Sequence, residues 1–179
     1  MFVIGFDSSD DMNFIGIIIG EEVELRRLFR AVRGGRRIHI REIGREKRRI
    51  SGRFLALLRQ KRFKVKALCL HTGVREIRRV LRSYRLPSSK IENILKSALS
   101  KNVLPLLYEV DKVFADREFW ELFRRLGIGC QDGIISDLAD IVAWSNLRRT
   151  EELKTRFLNS IEEQDVKEEL MRLSIKMVG

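Results

Sequence analysis

The sequence is poor in cysteine and histidine, with two of each in 179 residues. Cys69 and Cys130 are too few for a disulfide scaffold and lack metal-ligand spacing, and both sit in apolar runs that suit buried thiols. Proline also occurs only twice. Together with few Asn and Gln residues, this fits a heat-adapted, archaeal or thermophilic source. The longest apolar run, Phe14 to Gly20, is too short to span a bilayer, and no basic leader precedes the opening strand-like residues. A cytoplasmic protein with no membrane partner is expected. There is no Ser-His-Asp pattern and no phosphate-cradling Gly-rich loop, and Gly127-Ile128-Gly129 is only a fragment of a dinucleotide fingerprint.

Acids are scarce where bases are dense. Between Arg26 and Arg85 there are 22 Lys or Arg residues against three acids, Glu42, Glu46 and Glu76. The whole chain carries a net charge of +11, and residues 151 to 179 are slightly acidic, with seven acids and five bases. Charge of one sign gathered in one segment points to a polyanionic partner. Arginine outnumbers lysine by 25 to 11, which suits bidentate phosphate contacts and base stacking.

Hydrophobic residues make up 44% of the chain, enough to build a core. Phe2 to Phe6, a turn at Asp7 to Asp11 and a β-branched return from Asn13 to Ile19 read as a hairpin. A helix follows to Gly34-Gly35, then a short alternating strand, Arg37 to Arg41. Arg45 to Arg62 reads as a basic helix with Ile50, Phe54, Leu57 and Leu58 on its apolar face. Next come a strand at Lys64 to Leu70, a helix at Val74 to Arg85, and a helix capped by Ser88 or Ser89 through Leu99. Leu106 to Val110 is a candidate strand that would deliver Asp111 to its end. Asp116 caps a helix over Phe119 to Phe123, Ile128 to Gln131 is a short strand, and Ile134 to Leu147 is a helix. One or two amphipathic helices complete the chain. This order predicts an α/β fold with a mixed sheet between helices, in which residues 1–150 form the main domain and residues 151–179 a helical extension packed on it.

The candidate site residues are acids in apolar surroundings. Asp7 ends the first strand, Asp111 the possible central strand, and Asp140 lies inside the run Leu138 to Trp144. A buried carboxylate needs a donor, a basic partner or a metal. Converging carboxylates with few histidines favour Mg²⁺ or Mn²⁺ over Zn²⁺, and such ions serve phosphodiester cleavage. Each acid has a plainer alternative: an Asx-turn for Asp7, a cap for Asp111, an arginine pair for Asp140. Asp137 lies one turn before Asp140 on the same helix face, and His39 is followed three residues later by Glu42.

Ile4-Gly5-Phe6-Asp7-Ser8-Ser9-Asp10-Asp11, Arg37 to Ile43 with its His39-x-x-Glu42, and Ser136 to Ala143 occur in this order. Together they resemble the domain-of-unknown-function family numbered 3800, which is placed among ribonuclease H-like folds. The resemblance implies an acidic site of Asp7, Glu42 and Asp140 with His39 beside it, and Asp111 joins by its expected strand-end position. Ser8 stands where the family usually has Glu, Asp10 where it has Gly, and Asp137 where it has Gln. A PIN-like nuclease also gathers acids at strand ends, but its first strand usually runs into a helix rather than a hairpin return.

A phosphate chain would lie on Arg45, Arg48, Arg49 and Arg53 of one basic helix and on Arg75, Arg78, Arg79 and Arg82 of the next. Three functions remain open at this point: a metal-dependent nuclease acting on DNA or RNA, an inactive nucleic-acid-binding module on the same scaffold, and a protein that docks an acidic partner.

Overall fold

A computed structural model describes residues 1–33, 46–147 and 160–178. It opens with strands β1 (Phe2–Ser9) and β2 (Phe14–Glu21), paired antiparallel with Asp7 opposite Gly16. β1 runs past Asp7, so the turn falls at Asp10 to Asn13. Asp10, Asp11 and Met12 all adopt left-handed φ, a conformation that Asp tolerates better than Met. Arg75 and Arg78 hold this turn through ion pairs to Asp10 and Asp11, and the Thr72 N–H donates to the Asn13 carbonyl at 3.1 Å.

Helices α1 (Glu22–Arg33) and α2 (Lys47–Arg59) precede β3 (Val65–His71); α3 (Val74–Ser83) and α4 (Ser88–Val103) follow it. A short 3₁₀ turn leads to β4 (Lys112–Ala115), α5 (Arg117–Arg125), β5 (Cys130–Gln131) and α6 (Ile134–Leu147). The described chain closes with β6 (Glu162–Asp165) and α7 (Lys167–Lys176). The fold is therefore α/β, with a mixed six-stranded sheet in the order β5-β4-β1-β2-β3-β6 and seven α-helices among the described residues. β2 alone runs against the other strands, so the carboxyl ends of the remaining strands share one end of the sheet.

Both faces of the sheet are covered, which explains why β2 is apolar without alternation. Val3, Ile18, Ala67, Cys69 and Phe114 pack under α1, α2 and α6. Ile4, Phe6, Ile17, Leu68 and Val113 pack under α3, α4, α5 and α7. Helix α6 lies directly on the hairpin because Gly5 and Gly16 carry no side chain. A Cβ on Gly5 would stand 2.6 Å from the Ile135 carbonyl oxygen, and one on Gly16 would stand 2.5 Å from the Ala143 nitrogen and closer still to the Ala139 oxygen.

Several expectations need correction. Leu106 to Val110 is no strand: Leu104–Leu107 forms the 3₁₀ turn and pairing begins at Lys112, so Asp111 precedes its strand instead of ending it. Pro87, not a serine, occupies the cap position of α4. The C-terminal stretch contributes a strand, β6, as well as a helix, and that strand belongs to the main sheet. The expected strand at Arg37 to Arg41 lies outside the described residues. No helix among the described residues is long and apolar enough to cross a membrane.

Candidate metal centre

Because β1 and β4 are parallel, with Phe6 beside Ala115, the residues just beyond that pair emerge side by side. They are Asp7 and Asp116. Asp116 is the N-cap of α5: its Oδ1 accepts the Arg117 N–H at 2.7 Å, and its own N–H donates to the Phe6 carbonyl at 3.3 Å. Glu118 sits in the first turn of the same helix, where the helix dipole favours an acid. Oxygen atoms of Asp7, Asp116 and Glu118 all lie within 4.8 Å of one another.

Asp7 is 3% exposed, whereas Asp116 is half-buried and Glu118 exposed. Its Oδ1 accepts the Ser8 N–H at 2.6 Å. That single donor does not offset its surroundings. Burial pushes the Asp7 carboxyl up to about 9, with further upward pressure from Asp140 and then Asp116. Asp140, buried in the middle of α6, thus acts on Asp7 across the interface that Gly5 and Gly16 open. Asp137, one turn earlier, is also buried. On the other side of β1, the Ser8 hydroxyl donates to Glu118. Ser8 therefore holds an acid supplied by α5.

The structure brings Asp7 and Asp140 together electrostatically but excludes Asp111. That residue is exposed at the opposite end of β1, where its Oδ2 accepts the Phe2 N–H at 2.6 Å. Parallel pairing carries β4 away from Asp111 and toward Asp116. Reading Asp116 only as a cap, and passing over Glu118, misses two members of the cluster. The available signal is an Asp-x-Glu directly after a short apolar segment. His39, Glu42 and Arg45 lie outside the described residues.

The basic segment divides. Arg48, Arg49 and Arg53 are exposed on α2, over one face of the sheet, and Arg49 pairs with Glu46 at 3.1 Å. Arg75, Arg79 and Arg82 are exposed on α3, over the other face. Arg78 does not face a phosphate chain as expected. Its side chain is 15% exposed and pairs with Glu92 and Asp11, which raises its pKa further. His71 is a strand-end histidine, 2.9 Å from Glu163 and edge-on to Phe14. Neither cysteine is in a disulfide: Cys69 is buried, and Cys130 is half-buried rather than buried.

Compared with protein-family models, with curated proteins and with solved structures, the chain matches none.

Proposed function

We propose that this protein is a divalent-metal-dependent nuclease of ribonuclease H-like fold, acting on phosphodiesters of DNA or RNA. The carrying observation is the meeting of Asp7, Asp116 and Glu118 within 4.8 Å of one another. The donor set fits Mg²⁺ or Mn²⁺: it is all carboxylate oxygen, and Asp7, buried first of all and crowded by acids second, resists ionisation without a compensating cation. When bound, such an ion supplies Lewis-acid polarisation of the phosphoryl oxygen. Asp7, Asp116 and Glu118 would hold it, Ser8 orients Glu118, and Asp140 adds negative charge beside Asp7. The opening antiparallel hairpin supports the ribonuclease H-like reading over the PIN-like one.

The test is cleavage of labelled DNA and RNA with Mn²⁺ or Mg²⁺. Asp7→Asn and Asp116→Asn are expected to abolish cleavage while nucleic-acid binding persists. Full cleavage by either variant overturns the proposal. Salt-sensitive binding by the wild-type protein with no turnover in either ion would instead identify an inactive binding module.

A further inference from the structure

The outer side of α5 carries Arg117, Trp120 and Arg124, spaced three and four residues apart and hence aligned on one stripe. Trp120 is 42% exposed, although its indole N–H is fixed by the Ala115 carbonyl at 3.1 Å. The ring is therefore anchored at its N–H to the residue that precedes Asp116 and remains partly open to solvent. Neither Arg117 nor Arg124 is in an ion pair among the described residues. Glu121 lies in the same stripe, but Lys96 and Arg125 compensate its charge and hold its carboxyl down to about 2.

These side chains form one wall of a groove of about 590 Å³ that reaches Gly127, Gly129 and Cys130 at the β5 edge. The left-handed φ of +69° at Gly127 favours glycine there. Gly129 is different: its backbone is not left-handed, and a Cβ there would meet nothing within 4 Å. Neither conformation nor packing excludes a side chain at Gly129, yet adding one would fill the groove.

We infer that this groove binds a single-stranded nucleic acid, with a base stacked on Trp120 and flanking phosphates on Arg117 and Arg124, leading the strand to the carboxylate cluster. A flat aromatic face between unneutralised arginines suits an unpaired base and its backbone, and a base still paired within a duplex cannot offer its face in this way. The inference rests on the nuclease reading for the fate of the strand, and on the groove alone for its binding.

The chain has two tryptophans, and Trp144 is buried at 6% exposure, so quenching of the exposed Trp120 reports on the groove. The experiment titrates Asp7→Asn protein, without divalent ions, with oligo(dT), oligo(rU) and a duplex. Both single strands are expected to quench the emission more strongly than the duplex does, and the tighter of the two assigns the sugar. Trp120→Phe should remove the response. Gly129→Leu should retain the melting temperature and weaken binding about tenfold or more. Equal quenching by duplex, or wild-type affinity in both Trp120→Ala and Gly129→Leu, overturns the inference. If binding holds but the wild-type protein cleaves with no divalent ion, the nuclease reading falls and the groove stands. If Gly129→Leu and Trp120→Ala bind and cut as wild type does, the groove falls and the nuclease stands.

Discussion

At the Phe2 end of the β1–β4 pair, Asp111 lies in solvent and its carboxylate accepts one backbone N–H. At the other end, five residues along the same strands, Asp7 is buried beside Asp116 and Asp140, and its ionisation is opposed. In the sequence both acids follow apolar, strand-like runs, and sequence alone treats them alike. Water screens the first, while burial and like charges act on the second. An acid beside a strand thus gains chemical meaning from the direction of its neighbour. Parallel pairing gathers the residues after β1 with those after β4, and leaves those before β4 at the far end.

Substitution at each end separates the two acids most clearly. Asp7→Asn should lower divalent-dependent cleavage by more than about 100-fold, beyond the usual cost of losing an outer-shell partner. Asp111→Asn should cleave at the wild-type rate in the same assay. Next in size is packing: Gly16 is the register partner of Asp7, and Gly16→Ala should cost about 3 kcal/mol in urea unfolding, because α6 must lift off the sheet. Gly129→Ala, with open space around it, should stay within about 0.5 kcal/mol.

A third prediction concerns pH. The folded protein keeps a proton on Asp7 up to about 9, whereas the unfolded chain releases it near 3.8. Stability without metal should therefore fall as pH rises between those values, by up to about 1.4 kcal/mol per pH unit from this group. Asp7→Asn should flatten that slope, as followed by thermal melts in a chelating buffer. Added Mn²⁺ should raise the wild-type melting temperature most at the alkaline end. Asp111→Ala, which loses one surface hydrogen bond to the Phe2 N–H, should cost about 1 kcal/mol in the same urea-unfolding measurement.

Local signals read well. The hairpin, α1, α3 and α6 follow from apolar spacing and turn residues within a few positions, and α6 spans Ile134–Leu147 as the periodicity predicts. The features that were not legible depend on distant partners. Glu162 to Asp165 has no apolar pattern and lies on the surface; it is a strand only because the open edge of β3 pairs with it. Pro105 interrupts the run that resembles a central strand, and the true strand, Lys112–Ala115, is too short to stand out. The basic segment resembles one platform because counting along the chain ignores β3, which separates α2 from α3 and leaves them on opposite faces of the sheet. Asp116 is visible in the sequence as a cap, but its place beside Asp7 is a property of strand pairing.

The strand β6 has a consequence for the approach of a polyanion. It lays Glu162, Glu163 and Asp165 along one margin of an otherwise cationic molecule, while the opposite margin is the two-residue β5 beside Arg117 and Arg124. Of these acids, Glu162 pairs with Lys66, and Glu163 lies 2.9 Å from His71 Nε2. A negatively charged strand drifting toward the sheet edges meets a barrier on one side and an attractive channel on the other. Among the described residues the two margins of the sheet thus differ in charge, and for the proposed nucleic-acid substrate that asymmetry is expected to set a side of entry.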